Sequence, residues 1–349
     1  MTVARRKLVD VDVTRWYHCI SRCVRRAHLL GEVGADATDR KAWIEKRLQE
    51  LDAIFAVSVG GFCVMDNHLH LLVRIDPEQA AAWSDEEVVR RWFRLYPPRT
   101  ADRKTVTADR MEEMVKLRAS DQAWVASARE RLRSLGWFMK CLKEPLSRMV
   151  NKAEKCTGSF FEGRYKSIAI LDEEALLSVC AYIDLNPVAA GITMVPEQSE
   201  HTSVKSRVEH VTEQQRTEDL QEVIDGSVAA SRAASRLEDS LWLVPIEDRR
   251  GIDSAREGMV EGFTLANYLL LVEYTGRTFR EGKAQISAEV AGLFERLGSS
   301  AECWIARMNK LCGGRLSGRL LASNRARLRA AAEAFGVHHL ANLSGCPAT

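Results

Sequence analysis

The sequence of 349 residues lacks the features that mark several protein classes. Its nine cysteines form no Cys-x-x-Cys pair and follow no regular spacing, which argues against a zinc ribbon and against a secreted disulfide framework. We identify no signal peptide and no apolar run long enough to cross a bilayer. With 8 prolines, 46% hydrophobic and 28% charged residues, the composition is typical of a folded globular protein, which we expect to be cytosolic.

A strong excess of charge of one sign is also lacking, because the net charge is only +2. The total charge therefore gives no indication of a nucleic-acid partner. The local distribution differs, since ten basic and four acidic residues lie between Arg129 and Lys166. This segment predicts a groove that follows a phosphate backbone. The alternative is the solvated face of a charged helix. The candidate phosphate-binding residues are Lys140, Lys143, Arg148, Lys152, Arg164 and Lys166.

Hydrophobic periodicity predicts four strands and three helices before residue 191. Their order is strand 15–24, helix 38–55, strand 56–65, strand 68–75, helix 137–155, strand 165–171 and helix 172–186. This order indicates an α+β protein with a ferredoxin-like antiparallel sheet core and one appended helix.

Two further segments complete the predicted organisation. The polar helical stretch from about 83 to 133, interrupted by Pro97 and Pro98, is interpreted as a helical insertion. After residue 191 the sequence predicts polar helices only. We therefore expect two domains, 1–191 and 192–349, with an all-helical C-terminal extension whose role is unknown.

A histidine pair lies in the fourth predicted element, as His68-Leu69-His70. Side chains alternate along a strand, so both imidazoles project from one face. Two neutral ring nitrogens held side by side can bind one divalent metal ion. The alternative is that two histidines happen to share a half-exposed strand face, and a bare His-x-His favours that view.

Tyr182 and Asn186 lie four residues apart near the end of the last predicted helix, so they point together. A tyrosine hydroxyl can attack a phosphodiester and conserve the bond energy as a phosphotyrosine. The asparagine oxygen offers a third ligand for Mg²⁺ or Mn²⁺. The alternative is a structural helix tyrosine followed by an end cap before Pro187.

Together these segments resemble the single-tyrosine HUH transposases, in particular the REP-associated tyrosine transposases of bacteria. That family has two histidines flanking one hydrophobic residue, then Tyr-Ile-x-x-Asn-Pro-Val-x-x-Gly far downstream, which 65–70 and 182–191 match. The segments 17–22, 146–151 and 158–167 also look like the family, so the resemblance covers about residues 12–205. Asp66 departs from it, because the family usually has proline there, and His201 stands near a frequent aromatic position.

The resemblance implies a divalent metal ion, Mg²⁺ or Mn²⁺, on His68, His70 and Asn186, with Tyr182 as the nucleophile. It implies cutting and rejoining of single-stranded DNA beside a hairpin, through a covalent 5′-phosphotyrosine, as in DNA transposition. Arg22, Arg164 and Lys166 lie in matching segments and are candidate DNA-binding residues. We expect a bacterial cytoplasmic, nucleoid-associated protein with no membrane partner, and whether it is a monomer or a homodimer is left open.

Two alternative functions remain open. One is a domesticated protein that binds structured single-stranded nucleic acid without cutting it. The other is a nickase of the relaxase or replication-initiator type, which uses the same chemistry. The matching segments favour the transposase, and the four intact residues His68, His70, Tyr182 and Asn186 argue against loss of activity.

Overall fold

A computed structural model shows a mixed α/β protein with two compact units. Unit 1 comprises Met1–Lys41, Val59–Val73 and Phe161–Thr349, and unit 2 comprises Ala42–Ser58 and Arg74–Phe160. The domain boundary predicted near residue 192 therefore falls inside unit 1. The residues described are 9–31, 39–100, 106–224, 236–251, 257–281, 287–297, 299–313, 320–336 and 341–342.

The largest sheet has six strands in the order β2-β3-β1-β4-β7-β8, and β5 and β6 form a separate parallel pair. The first four strands lie where the sequence predicts them, and β1 runs antiparallel to β4 with Ile20 opposite Lys166. The strands are β1 (Trp16–Arg22), β2 (Val57–Val64), β3 (His68–Ile75), β4 (Lys166–Ile170), β5 (Glu247–Asp248), β6 (Val260–Glu261), β7 (Leu320–Ala322) and β8 (Ala341–Asn342).

The expectation of an all-helical C-terminal extension is wrong. β7 pairs with β4 and β8 pairs with β7, both in parallel, so residues after 192 extend the same sheet. Strands of two or three residues are too short to show the period-two pattern that identifies a strand in a sequence. Asp172 helps to hold this edge, because one carboxylate oxygen accepts hydrogen bonds from the main-chain N–H groups of Ser323 and Asn324, at 2.8 and 3.2 Å.

Helices make up most of the remaining described structure, and the segment 83–133 contains α3, α4 and α5. In the described residues, none of the helices has both the length and the apolar composition needed to cross a membrane. The helices are α1 (Arg40–Asp52), α2 (Pro77–Ala82), α3 (Asp85–Leu95), α4 (Ala108–Ala119), α5 (Gln122–Leu132), α6 (Leu135–Ala153), α7 (Glu173–Asp184), α8 (Asn186–Ala189), α9 (Ser203–Glu213), α10 (Thr217–Ile224), α11 (Leu265–Glu281), α12 (Ala288–Arg296), α13 (Ala301–Cys312) and α14 (Arg325–Phe335).

α7 is the central helix of unit 1, and its side chains from Ala175 to Ala181 are all buried. Asp172 caps its N-terminus by accepting a hydrogen bond from the Ala175 N–H at 2.8 Å, as the sequence predicts. Its apolar side chains pack in one cluster with Leu72 of β3, Ile168 of β4 and Tyr268 of α11. Residues from both sides of position 192 therefore share a single core.

A buried carboxylate joins α7 to the C-terminal half of the chain. Asp184 is fully buried, and one of its oxygens accepts hydrogen bonds from Ser203 Oγ at 2.6 Å and from the Val204 N–H at 2.9 Å. The other oxygen accepts from the Tyr268 hydroxyl. Burial raises the pKa of Asp184, and these hydrogen bonds oppose the rise. The carboxylate is thus held by donors from α9 and α11.

We expect Tyr268→Phe to lower the free energy of unfolding by about 1–3 kcal/mol, because it leaves one oxygen of a buried carboxylate without its donor. Urea denaturation followed by circular dichroism measures the change. The matched control is Tyr274→Phe on the same helix, whose hydroxyl pairs with Thr278 rather than with a buried carboxylate. Equal losses in the two variants would contradict the role given to the Asp184 network.

Candidate active site

The two histidines of β3 project from the same face, with ring centroids 4.8 Å apart and an interplanar angle of 80°. His70 is only 2% exposed, whereas His68 at the start of the strand is partly exposed. The alternative of a half-exposed strand face therefore does not apply at His70. α7 covers this face, as the packing of Leu72 in the α7 core cluster indicates.

A third histidine lies beside the pair. His18 is on β1, the strand next to β3, and its Nε2 lies 2.9 Å from Nδ1 of His70 in a hydrogen bond. The two rings are stacked with centroids 5.1 Å apart. His18 is fully buried, and its Nδ1 has no hydrogen-bond partner among the residues that the structure describes. The structure thus makes His18 the ring partner of His70.

The contacts of the two β3 histidines restrict their tautomers. His68 Nδ1 lies 2.6 Å from Asn67 Oδ1, an oxygen that can only accept, so His68 carries its proton on Nδ1. The His70–His18 hydrogen bond can run from His70 Nδ1–H to His18 Nε2 or from His18 Nε2–H to His70 Nδ1. In the first case Nε2 of His70 keeps a lone pair. Outer partners at Nδ1 are typical of metal-binding histidines.

Tyr182 brings a phenol to the same cluster. Its ring is edge-on to both buried imidazoles, with centroids 5.4 Å from His70 and 6.0 Å from His18. Asn186 lies between the phenol and the first histidine of β3, because its side chain hydrogen-bonds both the Tyr182 hydroxyl and His68. His68, His70, Tyr182 and Asn186, singled out from two distant segments of the sequence, thus meet at one place.

The helix that carries Tyr182 ends earlier than the sequence predicts. From the sequence we expect one helix that runs through Asn186 and ends before Pro187. Instead, α7 ends at Asp184 and the short α8 begins at Asn186. Proline has no N–H to donate, so it cannot continue α7, yet it suits the first turn of a new helix. The Asn186 side chain caps the broken end by donating from Nδ2 to the Tyr182 carbonyl oxygen at 2.7 Å.

Burial keeps the three imidazoles neutral. It lowers the pKa of His18 to about 3, and the nearby Lys166 charge adds to the effect. The pKa of His70 is lowered well below its usual range by burial, then by its neighbours His18, His68 and Arg22. The pKa of His68 is also lowered, by burial and by Arg22, and a hydrogen bond from His68 to Asn186 opposes this shift. Neutral imidazoles are the form that binds metals.

Burial raises the pKa of Tyr182 to about 12, so the phenol is protonated at neutral pH. A smaller contribution to the rise comes from Cys312, at the end of α13, which packs against α7. Asn186 and Arg22 act in the opposite direction. The C-terminal half of the chain therefore contributes directly to the surroundings of Tyr182. The local sequence around Cys312 does not indicate this contact.

Two of the predicted phosphate-binding residues lie near this cluster. Arg22, exposed at the end of β1, lies close enough to affect the pKa values of His68, His70 and Tyr182. Lys166 begins β4, and burial together with Arg22 lowers its pKa. Arg164 is exposed just before β4. The remaining predicted residues, Lys140, Lys143, Arg148 and Lys152, lie on α6 in unit 2.

No protein-family model, curated protein or solved structure matches this chain. The site is therefore interpreted from its own geometry. Within the described ranges, no group of three or more His, Cys, Asp or Glu side chains is arranged to hold a metal ion. The possible metal ligands in the cluster are instead two imidazoles and one carboxamide oxygen.

We expect the metal-free protein to lose stability as the pH falls from 7.5 to 5.5. The pKa values of His18 and His70 are lower in the folded chain, so below about pH 6.5 the unfolded chain binds protons that the folded chain does not. The loss approaches about 1.4 kcal/mol per pH unit for each imidazole. Urea denaturation in EDTA at several pH values measures this slope.

The matched variants are His18→Phe and His28→Gln. The first removes one buried imidazole and is expected to reduce the slope, whereas the second removes an exposed histidine and leaves it unchanged. An unchanged slope in His18→Phe would show that the buried pair does not cause the acid sensitivity.

Proposed function

We propose that this chain is a metal-dependent single-stranded DNA endonuclease and strand transferase of the HUH transposase type, with Tyr182 as the nucleophile. The observation that carries the proposal is the meeting of Tyr182 and Asn186 with the histidine pair of β3. The phenol ring lies 5.4 Å from the His70 ring, and Asn186 hydrogen-bonds both Tyr182 and His68. Local sequence patterns alone do not require these two segments to meet.

The arrangement of the first four strands also supports the proposal. β1 and β3 are adjacent and central among them, with β2 on one side and β4 on the other. This is the strand order of a ferredoxin-like core built as βαββαβ, the fold that the resemblance implies. In that fold a histidine pair on a central strand faces the helices that cover the sheet.

The residues present suit a divalent metal ion such as Mg²⁺ or Mn²⁺. His68 and His70 each have an outer partner at Nδ1 and offer Nε2, and Asn186 offers its carboxamide oxygen. When bound there, a divalent cation supplies charge that polarises the scissile phosphate and stabilises the leaving oxygen. All three proposed ligands are neutral, which suits a site that must accept an anionic strand.

Tyr182 performs the covalent step in this proposal. Its oxygen forms a bond to phosphorus while the bond from phosphorus to the 3′ oxygen of the preceding nucleotide breaks. The phenol loses its proton during the attack, and the released 3′ oxygen takes up a proton to become a 3′ hydroxyl. The product is a 5′-phosphotyrosine, and attack on it by another 3′ hydroxyl reverses the step and rejoins DNA. Arg22 and Lys166 would hold phosphates beside the reacting one.

We expect full-length protein with Mn²⁺ to form a covalent adduct with 3′-labelled single-stranded DNA, using a pool of imperfect hairpins with randomised flanks. Denaturing gels detect the adduct, and mass spectrometry of the tryptic peptides locates it on Tyr182. Tyr182→Phe is expected to abolish the adduct, because phenylalanine has no nucleophilic oxygen. Tyr274→Phe, the same change elsewhere in unit 1, should leave it intact.

The possible failures have different meanings. An adduct that persists in Tyr182→Phe would remove the nucleophile assigned here. Binding of the hairpins without any adduct, with Mg²⁺ or Mn²⁺ at any concentration, would favour the non-cleaving binding protein instead.

We expect His18→Phe to weaken Mn²⁺ binding by about 10- to 100-fold, because the loss of an outer hydrogen-bond partner releases the ring of a ligand histidine. Isothermal titration calorimetry without DNA measures this affinity, so the result does not depend on catalysis. His70→Ala should abolish binding, and His28→Gln should not change it. Wild-type affinity in His18→Phe would refute the positioning role of His18.

A further inference from the structure

Unit 2 contains a group of partly exposed aromatic and basic side chains that the proposed active site does not use. We call it the cation–aromatic cluster. Four of the chain's eight tryptophans lie between residues 83 and 137, and three of them belong to this group. Its members come from α3, α5 and α6 and from the residue that follows α3, and they are Trp92, Tyr96, Trp124, Arg131, Trp137 and Lys140.

Trp92 is the centre of the cluster. Its ring centroid lies 5.1 Å from that of Tyr96, 5.6 Å from that of Trp137 and 6.2 Å from that of Trp124. The planes are tilted or perpendicular rather than parallel. The rings therefore do not stack on one another face to face, and Trp92, Trp124 and Trp137 each keep part of their surface exposed.

The cluster is distinct from the core of unit 2. That core includes Phe55 and Phe138, whose rings are in contact at 5.5 Å and which are at most 1% exposed. Trp137, adjacent to Phe138 in the sequence, is partly exposed, and Tyr96 is 43% exposed. The described structure thus keeps large aromatic surface in contact with solvent, although burying it would be favourable.

Basic side chains lie against these rings. The Arg131 guanidinium carbon is 5.3 Å from the Trp92 ring centroid and 4.9 Å from that of Trp137, and Lys140 Nζ is 4.3 Å from the latter. In the part of the chain that the structure describes, Arg131 has no ion pair with an acidic residue. The segment 74–160 as a whole has 18 Lys and Arg against 13 Asp and Glu.

We propose that the cation–aromatic cluster is a binding platform for the unpaired bases of a single-stranded nucleic acid. Bases stack on partly exposed indole and phenol rings, while Arg131 and Lys140 hold the phosphates between them. This platform lies within unit 2 and does not depend on the chemistry of Tyr182. It gives the helical insertion, together with the start of α6, a function of its own, which is to bind a strand without cutting it.

The charge of the cluster favours nucleic acid over a protein partner. Tryptophan, tyrosine and arginine are also frequent at protein interfaces. Such interfaces deplete lysine, however, whereas here Lys140 lies over a ring and Lys143, Arg148 and Lys152 follow it along α6. A polyanion that also presents flat rings matches both properties of the surface.

The test uses the full-length Tyr182→Phe chain in EDTA, so that neither cleavage nor a bound metal affects the result. Fluorescence anisotropy with fluorescein-labelled dT20 gives the dissociation constant. We expect Trp92→Ala and Trp137→Ala each to raise it by about 5- to 100-fold. Trp137→Phe should recover most of the affinity, and Trp43→Ala, in the same unit but outside the cluster, should have little effect.

Two further measurements separate stacking from charge. Arg131→Gln should reduce the slope of log K against log salt by roughly 0.7, the value for one phosphate contact on a single strand. Heparin, a polyanion without bases, should bind Trp137→Ala and the parent chain equally. A loss of heparin affinity as large as the loss for dT20 would overturn the stacking role.

Photo-crosslinking provides a readout that needs no destabilising variant. An oligonucleotide containing 5-iodouracil should crosslink to Trp92, Trp124 or Trp137, as located by mass spectrometry. Crosslinks confined to unit 1, or unchanged dT20 affinity in folded Trp92→Ala and Trp137→Ala, would overturn the proposal. The adduct assay and this assay fail independently, because one depends on Tyr182 and a metal and the other on neither.

Discussion

The hydrogen bonding of one buried carboxylate constrains the structure around α7. Asp184 is two residues from Tyr182 and has no contact with solvent, so its oxygens must be satisfied by protein donors. Those donors are Ser203, Val204 and Tyr268, which lie up to 84 residues further along the chain. The helix that carries the phenol therefore has its position fixed by the C-terminal half of the chain, which belongs to the same compact unit.

The closed face of the sheet determines the chemistry of the site. Because α7 covers the face from which His70 and His18 project, water cannot stabilise a charged imidazole there, and both rings remain neutral. The same burial keeps the Tyr182 phenol protonated, so in the proposed attack its proton would have to leave. The cluster of neutral groups beside Arg22 and Lys166 is the arrangement on which the proposed cation site rests.

Local patterns in the sequence were sufficient for part of this structure. Strand-like composition, with period-two alternation in β3, located β1 to β4, and the Asp172 cap located the start of α7. They could not reveal contacts between distant segments, such as His18 with His70, Tyr268 with Asp184 or β7 with β4. The aromatic rings that meet at Trp92 were missed for the same reason, since they come from different helices and share no periodicity.

The broken end of α7 has a consequence for which side chains position 186 can accept. The carboxamide donates from its nitrogen to the main-chain oxygen of Tyr182, and the same side chain also hydrogen-bonds His68 and the phenol. An aspartate of the same length would set a carboxylate against that carbonyl oxygen, two acceptors without a proton between them. The backbone alone thus demands an amide at this position, and it does so whether or not an ion ever binds there.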